Sequence, residues 1–534
     1  MSAVPGDVRP ERPPATPLAE LAAVVGVAAP DGADRVVVSG LSLSSQRVRP
    51  GDLYAALPGA RAHGATYAAA AVAAGAVAVL TDPAGAAEMS TQESTPESTQ
   101  VPTLVVDDPR RLLGRLAAHV YGDPAASLRM IGVTGTQGKT TTTRLAEGGM
   151  QAAGIRAAVV GTVGTRIAGR EVKTALTTPE APDLHGLFAL MREQHVEACA
   201  MEVSSHALVM GRVDGVVFDV AVFLNLGRDH LDFHADMEDY YRAKASLFTP
   251  ERARLGLVCL DDEHGRRLAA EAPIPVRTFG LRPEHAPDWT AIDVVTESEG
   301  SSFVLAGPGG VRVPVRCPLA GEYNVANTVA ALAACAEAGL DVAAVARGIS
   351  EGPGVPGRLE RIPNERGITV VVDYAHKPDA VEAAIGTLRP LTAGRVIAVL
   401  GAGGDRDPGK RPIMAAIAAR LADVLVLTDD NPRSEDPAAI RAAMLAGIED
   451  VDPAQRAVVH EIGDRRAAIA AALAAAEPGD IVLIAGKGHE TGQEVAGVVT
   501  PFDDREVARE LLATPAAGAA DGGSVADPGQ NPPR

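Results

Sequence analysis

The stretch IGVTGTQGKTTTT, at residues 131–143, limits the possible folds of this chain more than any other segment of the sequence. An apolar run typical of a buried strand leads into a glycine-rich loop, and Lys139 and Thr140 begin a helix-like segment. The backbone N–H groups of such a loop, together with the helix dipole, bind phosphate. Lys139 can reach terminal phosphates, and Thr140 offers a hydroxyl ligand for Mg²⁺. The segment therefore predicts a nucleoside triphosphate site at the end of a strand.

This loop departs from the usual G-x-x-x-x-G-K-[ST] pattern, because position 133 is Val133 and the glycines stand at 132, 135 and 138. The alternative is a glycine-rich turn that only packs a helix. The strand before the loop and the Gly-Lys-Thr sequence at its end favour nucleotide binding. Nucleotide binding by itself leaves a ligase, a kinase, a switch and a transporter motor open.

The chain has 534 residues, which is too long for one typical core and predicts three or four domains of roughly 150 residues. Its formal net charge of −19 argues against general nucleic-acid binding, which needs basic patches. No apolar targeting segment or long apolar run is present, so a soluble, cytoplasmic protein without membrane contact is expected. The cysteines lack C-x-x-C spacing and are expected to be core residues of a reduced protein: Cys199, Cys259, Cys317 and Cys335.

Apolar strand-like runs alternate with helix-like segments along the chain, for example RVIAVLGAGG, ADVLVLTDDN and GDIVLIAGKG. This alternation predicts an α/β protein whose parallel sheets are covered on both faces. Ligands of such sheets collect at the carboxyl ends of the strands. The expected organisation is a disordered extension, three domains and a disordered tail, at residues 1–17, 18–125, 126–352, 353–513 and 514–534.

Two further stretches place ionisable side chains at predicted strand ends. Glu202 follows an apolar run in MEVSSHAL, and His230 follows another in NLGRDHLDFHADM. A lone histidine is more often structural than a ligand. Beside an acid and a phosphate loop, it is favoured here as a magnesium ligand.

A loop with the sequence TDDNPRSE, at residues 428–435, follows the apolar run ADVLVL and precedes a helix-like segment. Two acids, an amide, a proline and an arginine are compatible with an ordinary strand-to-helix turn. They are also compatible with a loop that holds a charged ligand.

Taken together, these motifs resemble the Mur ligases, which build the peptide stem of peptidoglycan precursors. The resemblance is carried in order by T-G-T-x-G-K-T-T, MEVSSHAL, NLGRDHLDFH, AGEYNVANTVAALAA, VVDYAHKPD and GAGGDRDPGKRP, and it extends over residues 35–512. It implies a small N-terminal α/β uridine-nucleotide domain, a central P-loop ATPase sheet and a C-terminal Rossmann-like domain. It also implies an ATP- and Mg²⁺-dependent amide ligase that adds the third stem residue to UDP-N-acetylmuramoyl-L-alanyl-D-glutamate through an acyl phosphate.

The resemblance assigns roles to residues of the central region. Lys244 in YYRAKASLF matches the lysine that the family carbamylates, although from the sequence alone a solvated helix lysine would be the simpler interpretation. The residues implied in catalysis or metal binding are Lys139, Thr140, Glu202, His230 and Lys244. Those implied in ATP binding are Gly135, Thr136, Gln137, Gly138, Lys139, Thr140, Thr141, Asn324, Asn327 and Arg358.

For the UDP-sugar substrate, the segment LSLSSQRVRPGD resembles the family's uridine-binding segment. The usual D-S-R reads Ser44-Ser45-Gln46 here, and Met210 stands where many relatives carry glutamine. The implied contacts to the UDP-muramoyl-dipeptide are Leu43, Ser45, Thr177, Thr178, Ser204 and Arg212.

The loop at 428–435 decides which amino acid is added, because family members that add diaminopimelate carry D-N-P-R there. meso-Diaminopimelate differs from lysine by a carboxylate at its far end, and the guanidinium of Arg433 can hold a carboxylate through two hydrogen bonds. The residues implied in this site are Arg406, Asp430, Asn431, Pro432, Arg433, Gly486 and Glu490.

Two kinds of rival remain open. Another ligase of the superfamily, such as a folylpolyglutamate synthetase or the pentapeptide-forming enzyme, shares the ATP loop but has no reason for D-N-P-R. A regulatory or transport NTPase would hydrolyse ATP without an amino-acid acceptor. The expected partners are small-molecule substrates only, with no nucleic acid and no membrane, and a monomer is expected.

Overall fold

A computed structural model describes residues 9–92, 101–174, 176–297 and 299–513 of the chain. The chain divides into two compact units, one that ends at Val355 and one that begins at Pro356. The predicted domain boundaries at 125/126 and 352/353 stay predictions. Several helices in both units begin at an aspartate whose carboxylate accepts a hydrogen bond from a backbone N–H of the first turn, which stabilises the helix start. These aspartates are Asp108, Asp236, Asp262, Asp341, Asp436 and Asp464.

The first part of unit 1 is a four-stranded parallel sheet in the order β3-β4-β5-β6, with a short antiparallel pair, β1-β2, beside it. The residues of β4 and β5 are all buried, and they are apolar except for Asp52, Tyr54 and Thr81. The elements are β1 Thr16–Pro17, α1 Leu18–Val25, β2 Val37–Val38, β3 Gly40–Ser42, β4 Asp52–Ala56, α2 Ala68–Ala73, β5 Ala78–Thr81, α3 Pro83–Gln92, β6 Thr103–Val105 and α4 Pro109–Val120.

The central sheet of unit 1 has eight strands in the order β10-β9-β8-β11-β7-β12-β13-β14. The six strands β8, β11, β7, β12, β13 and β14 are parallel to one another. At the β8 edge, β9 pairs antiparallel with β8, and β10 pairs antiparallel with β9. Buried apolar clusters cover both faces. The elements are β7 Arg129–Thr134, α5 Lys139–Ala152, β8 Ala157–Val160, β9 Thr165–Ile167, β10 Arg170–Val172, α6 Ala181–Glu193, β11 Ala198–Glu202, α7 Ser205–Val209, β12 Val220–Phe223, α8 Met237–Ala245, β13 Gly256–Cys259, α9 Glu263–Glu271 and β14 Val276–Phe279.

Unit 1 ends with an antiparallel three-stranded sheet, β15-β16-β17, and two helices. The helix α10 is buried along most of its length and packs with this small sheet and with the central one. The elements are β15 Thr290–Glu297, β16 Gly300–Gly307, β17 Val311–Cys317, α10 Glu322–Glu337 and α11 Val342–Glu351.

Unit 2 contains a six-stranded sheet in the order β18-β19-β23-β20-β21-β22, parallel except for β18, and a separate hairpin, β24-β25. Apolar clusters cover both faces of the sheet. The elements are β18 Glu360–Ile362, β19 Thr369–Asp373, α12 Pro378–Leu388, β20 Val396–Leu400, α13 Lys410–Leu421, β21 Val424–Leu427, α14 Pro437–Glu449, β22 Val458–Glu461, α15 Arg465–Ala475, β23 Ile481–Ala485, β24 Gly492–Val495, β25 Val498–Pro501 and α16 Asp504–Ala513. The predicted α/β class with parallel sheets covered on both faces is confirmed.

The expectation of a disordered extension over residues 1–17 is wrong for its second half. Arg9 donates hydrogen bonds to both carboxylate oxygens of Asp52, at 2.8 and 2.7 Å, and both side chains are buried. The backbone N–H groups of Glu11 and Arg12 donate to Glu193. A buried ion pair of this kind fixes the segment, because leaving either charge unpaired would be costly. The remainder of the extension, residues 1–8, and the expected tail at 514–534 lie outside the described residues.

The four cysteines are buried in unit 1, as expected for core residues. Burial raises the pKa of each thiol, to about 12 for Cys259 and Cys335. Within the described ranges, none of the helices combines the length and the apolar character that crossing a membrane requires.

Candidate active site

The phosphate loop lies between β7 and α5, at the carboxyl end of a central strand of the sheet. Gly138 caps α5 with φ +87°, a conformation that favours glycine. A Cβ at this position would lie 2.4 Å from Asn327 Oδ1 of α10. The close approach of Asn327 to the loop requires glycine, and it brings together two parts of the predicted ATP site that are far apart in sequence.

Two lysine ammonium groups converge on the carbonyl oxygen of Gly135 in this loop. Lys139 Nζ donates to Gly135 O at 2.7 Å and to Thr136 O at 3.1 Å. Lys244 Nζ, from α8, donates to Gly135 O at 2.9 Å. The Lys244 side chain is 1% exposed and lies 4.5 Å from the centre of the Tyr240 ring. Lys244 is therefore a buried lysine of α8 that contacts the phosphate loop, and it is not a solvated helix lysine.

Glu202 ends β11 and is 1% exposed. Its Oε1 accepts hydrogen bonds from Thr140 Oγ1 at 2.9 Å and from Thr162 N at 2.8 Å, and its Oε2 accepts from Thr162 Oγ1 at 3.1 Å. A Cβ at Gly161 would lie 2.3 Å from Glu202 Oε1. The structure thus holds the predicted carboxylate and the predicted hydroxyl, Thr140, side by side.

Oxygen donors in this arrangement suit Mg²⁺, which binds proteins through one or two side chains and completes its shell with water and substrate phosphate. Among the residues that the structure describes, no three His, Cys, Asp or Glu side chains form a group that could hold a metal ion. The hydroxyl of Thr140 and the carboxylate of Glu202 form a donor set that fits Mg²⁺ with few protein ligands.

His230 lies in the segment after β12 with φ +54°, a conformation that is uncommon for a residue with a side chain. Its ring packs edge-on to His206, with centroids 4.8 Å apart, and lies 6.0 Å from the Tyr240 ring. The Tyr240 hydroxyl shares a hydrogen bond with Thr136 Oγ1 at 3.2 Å. Tyr240 thus packs between the predicted histidine and the phosphate loop, and burial raises its pKa to about 12.

Three residues of this site were not singled out by the sequence. The amide of Asn225 accepts from the backbone N–H groups of Thr136 and Gln137, at 3.1 and 2.9 Å, and donates to Gln137 O at 3.2 Å. Asn225 therefore fixes the shape of the phosphate loop. The other two are Thr162 and Tyr240. Asn225 stands in the quoted motif NLGRDH, whose polar residues at a strand end were the available signal.

The predicted dipeptide contacts of the central domain lie around Glu202. Thr178 Oγ1 donates to Glu202 O at 2.8 Å and accepts from Ser204 N at 3.3 Å. Thr177 Oγ1 shares a hydrogen bond of 3.1 Å with Thr162. The structure thus brings three of these predicted residues next to the predicted metal ligand.

Arg212 completes this group. Its guanidinium pairs with Glu180 at 2.8 Å and approaches Thr178 O at 3.5 Å. Glu180 also lies 3.5 Å from Arg110. Glu180 was not predicted, and it holds the predicted arginine in place.

The predicted uridine contacts lie in a different sheet from the phosphate loop. Leu43 follows β3, and Ser45 begins a short 3₁₀ helix, Ser45–Arg47. Arg47 pairs with Asp183 of α6 at 2.6 Å. This ion pair attaches the segment to a helix of the central sheet.

In unit 2, Arg358 lies 4.6 Å over the ring of Tyr374, at the carboxyl end of β19. Next to it, Asp373 accepts hydrogen bonds from Leu359 N at 2.7 Å and Ala375 N at 2.8 Å, and burial raises its pKa. Asp373 and Tyr374 lie in the quoted motif VVDYAHKPD but were not assigned. The structure places both of them beside the predicted residue Arg358.

The D-N-P-R loop follows β21 and is held by the segment that follows β23. Arg433 has φ +54° and forms an isolated parallel bridge with Val495 of β24: its N–H donates to Glu494 O at 3.0 Å, and its carbonyl accepts from Ala496 N at 2.6 Å. Arg433 Nη1 donates to Gly404 O at 2.5 Å. The left-handed backbone is costly for arginine, and the two hydrogen bonds to the hairpin hold it.

The other predicted residues of this loop form a compact polar cluster. Asp430 and Asn431 are buried, and Asn431 Nδ2 donates to Glu490 Oε2 at 2.8 Å. A Cβ at Gly486, where φ is +115°, would lie 2.6 Å from Asp430 Oδ2. Pro432 is also buried. The structure therefore brings together six of the seven predicted residues, namely Asp430, Asn431, Pro432, Arg433, Gly486 and Glu490.

Arg406 is the exception. It is exposed in the segment after β20, and within the described part of the chain it makes no hydrogen bond or ion pair. The pKa of Asp405 is lowered mainly by the hydrogen bonds from Ser434, and the charge of Arg406 contributes less. The structure does not join Arg406 to the cluster.

Three family models match the chain. The Mur ligase family catalytic domain matches residues 37–121, the Mur ligase middle domain matches residues 133–335, and the Mur ligase glutamate ligase domain matches residues 357–488. The matched ranges contain the phosphate loop, the glutamate and histidine motifs and the D-N-P-R loop.

Curated relatives match over nearly their whole length. A UDP-N-acetylmuramoyl-L-alanyl-D-glutamate–2,6-diaminopimelate ligase of Streptomyces coelicolor is 56% identical over 95% of this chain and 98% of its own. The enzyme of the same name from Corynebacterium efficiens is 48% identical over 95% and 97%. A solved structure of a ligase with this name is 34% identical, covers 93% of this chain and 99% of that one, and has a TM-score of 0.66. The chain belongs to the Mur ligase family.

Proposed function

We propose that this protein is an ATP-dependent amide ligase that adds meso-diaminopimelate to the D-glutamate of UDP-N-acetylmuramoyl-L-alanyl-D-glutamate, a step of peptidoglycan precursor synthesis. The relatives that carry this activity in their names are up to 56% identical and cover almost the full chain. Diaminopimelate is proposed as the amino acid because the Asp430–Arg433 loop is intact and its Asn431 donates a hydrogen bond to Glu490.

ATP would be held by the phosphate loop, with Asn324 and Asn327 of α10 as further contacts. The loop offers backbone N–H groups and the amino end of α5, and it places Lys139 beside Gly135. This arrangement neutralises charge on phosphate oxygens while the γ-phosphoryl group is transferred. Mg²⁺, held by Thr140 and Glu202 and by His230 at a second position, would supply Lewis-acid stabilisation of that charge.

The D-glutamate carboxylate needs activation because its leaving group would otherwise be oxide. Attack of the carboxylate oxygen on the γ-phosphorus releases ADP and forms an acyl phosphate. The amine of diaminopimelate then attacks the carbonyl carbon, loses a proton, and phosphate leaves from the tetrahedral intermediate. The protein contributes mainly positioning and charge neutralisation. Thr177, Thr178, Ser204 and Arg212 would orient the dipeptide, and Leu43 and Ser45 would contact the uridine.

Lys244 would act as a carbamate. The neutral amine attacks CO₂, a proton is released, and the product is an anionic group with two oxygen donors. A carbamate beside the phosphate loop could ligate Mg²⁺, which an ammonium would repel.

Diaminopimelate would be recognised through the two charges at its far end. Arg433 would hold the carboxylate, and Glu490 with the Gly486 carbonyl would hold the ammonium. Lysine would offer Arg433 no substrate carboxylate, and Arg433 would keep its ion pair with Glu494, at 3.7 Å. A site built for a polar group can reject an analogue that lacks it by about 10⁴–10⁵.

The test measures phosphate release from ATP with Mg²⁺ and the UDP-muramoyl-dipeptide, in the presence of diaminopimelate, of lysine or of neither. We expect turnover only with diaminopimelate. Turnover without any amino acid would instead indicate a regulatory or transport NTPase, and turnover with glutamate on a folate substrate would indicate a folylpolyglutamate synthetase.

The variant Arg433→Ala tests the choice of amino acid in the same assay. We expect kcat/KM for diaminopimelate to fall by about 10²-fold or more, because a charged hydrogen-bond donor is lost, while ADP binding by calorimetry stays unchanged. Near-normal kinetics with diaminopimelate in this variant would remove Arg433 from the site.

A further inference from the structure

Lys487 is a buried lysine at the centre of the polar cluster in unit 2. It follows β23, between Gly486 and Glu490 in sequence, and its side chain is 0% exposed. Lysine is among the residues that are almost never fully buried unless they are paired. The contacts that compensate its burial therefore indicate what it does.

All these contacts lead to residues of the proposed diaminopimelate site. Lys487 Nζ donates to Asn431 Oδ1 at 3.0 Å and to Glu490 Oε2 at 3.1 Å, and it lies 3.9 Å from Asp430 Oδ1. An ammonium group has three protons to donate and no acceptor. Two of the three oxygens around Nζ accept hydrogen bonds from it, and the Asp430 carboxylate adds an opposite charge at 3.9 Å, all within one loop cluster.

Lys487 fixes the orientation of the Asn431 amide. Asn431 Oδ1 accepts from Lys487 Nζ and from Glu494 N, at 3.0 Å each. Because both partners can only donate, the oxygen must point toward them and the NH₂ group must point toward Glu490. Asn431 Nδ2 does donate to Glu490 Oε2, at 2.8 Å.

Lys487 also fixes Glu490. Glu490 Oε2 receives two hydrogen bonds, from Lys487 and Asn431, while the Glu490 side chain is 30% exposed. One carboxylate oxygen is thus occupied by protein donors. In the described part of the chain, Glu490 Oε1 accepts no hydrogen bond, so it can accept one from a ligand.

We propose that Lys487 is a positioning residue for the amino-acid substrate, which holds Asn431 and Glu490 in the orientation that receives the ammonium at the far end of diaminopimelate. This inference rests on the proposed function. It extends that function, because the ligand contacts of Glu490 and Asn431 then depend on a residue that does not itself touch the substrate. Preorganised groups bind more tightly because less ordering is required on binding.

The variant Lys487→Met tests the inference, since methionine fills the space without donating a hydrogen bond. We expect KM for diaminopimelate to rise by about tenfold or more, as is typical when a hydrogen bond to a charged group is lost. We expect KM for ATP and for the UDP-muramoyl-dipeptide to stay within about twofold, because the contacts of Lys487 do not involve the phosphate loop. A uniform change in all three KM values would contradict a positioning role.

A double-mutant cycle with Glu490→Gln separates positioning from general stability. If Lys487 acts through Glu490, the effect of Lys487→Met on KM for diaminopimelate should shrink to about twofold in the Glu490→Gln background, because effects of coupled residues do not add. Independent, additive effects of the two substitutions would overturn the inference. If Lys487→Met does not yield folded protein, Lys487→Gln takes its place in the cycle.

Arg395→Met is the matched control. Arg395 precedes β20 and pairs with Asp480 at 2.7 Å, so it is a hydrogen-bonded cation at the opposite, amino-terminal edge of the same sheet. We expect its KM for diaminopimelate to equal that of the wild-type protein. Absence of diaminopimelate-dependent turnover in the wild type would refute the proposed function itself, whereas normal wild-type turnover with an unaffected Lys487→Met would refute only this inference.

Discussion

Lys244 illustrates how burial changes the chemistry that is open to a single residue. On an exposed helix face its side chain would be surrounded by water. In this structure it lies against Tyr240 and donates to Gly135 O. The proposed carbamate would therefore form on a side chain that is 1% exposed and lies beside the phosphate loop.

Replacing Lys244 by alanine is expected to lower kcat by about 10²-fold or more, because a ligand near the transferred phosphoryl group is lost. Small carboxylates such as formate or acetate should restore part of the activity by occupying the vacated space. The steady-state rate of phosphate release measures both effects. The exposed Lys173, replaced by alanine, is the control and should behave as wild type. Full activity of Lys244→Ala without added carboxylate would exclude the carbamate role.

At the scale of the elements, the start of α15 and the start of α16 are joined by a buried ion pair. Arg465 donates to both oxygens of Asp504 at 2.7 Å, and both side chains are 0% exposed. Arg465 also donates to Ala485 O at 2.9 Å, at the end of β23. Through this hydrogen bond, the ion pair holds the end of β23, which leads into Gly486 and Lys487.

The variant Asp504→Asn is expected to destabilise the protein by about 3–5 kcal/mol, because it leaves the buried guanidinium of Arg465 without its counter-charge. Denaturant unfolding followed by circular dichroism measures the change. The control lies on the same two helices: Arg466 and Glu510 form an exposed pair, at 2.7 Å, and Glu510→Gln should change stability by less than about 1 kcal/mol. Equal effects of the two variants would show that burial of the first pair does not matter.

For the whole molecule, much of the fold could be predicted because its strands are continuous apolar runs between helices. The phosphate loop could be predicted as well, because its glycines and the Gly-Lys-Thr sequence are adjacent in the chain. The antiparallel strands β9 and β10 and the order of the strands depend on pairing between distant segments, which no local pattern specifies. The ordering of residues 9–17 likewise depends on a distant partner, Asp52, which pairs with Arg9.

The candidate site could be predicted where a motif carries it and could not where distant segments meet. Thr140 and Glu202 were expected near each other, and they form a hydrogen bond. Asn225 and Lys487 were not expected, because their roles depend on the Gln137 and Asn431 groups that the fold brings to them. Lys487 does not differ in type or spacing from an ordinary loop side chain, and the signal for Asn225 was only its place among the polar residues of NLGRDH at a strand end.

The placement of the four cysteines makes the native protein a convenient host for thiol chemistry. All of them precede Val355, and none is more than 7% exposed. Because the thiolate is the reactive form, an alkylating reagent should modify none of them in the native state and all four in denaturant, as counted by intact-protein mass spectrometry. The rate of modification would then report the opening of unit 1 alone, since unit 2 has no cysteine. Labelling of Cys259, the most exposed of the four, under native conditions would contradict this expectation.

A cysteine introduced on the surface of unit 2 would be the single reactive thiol of the protein, and a fluorophore could be attached there without removing any natural cysteine.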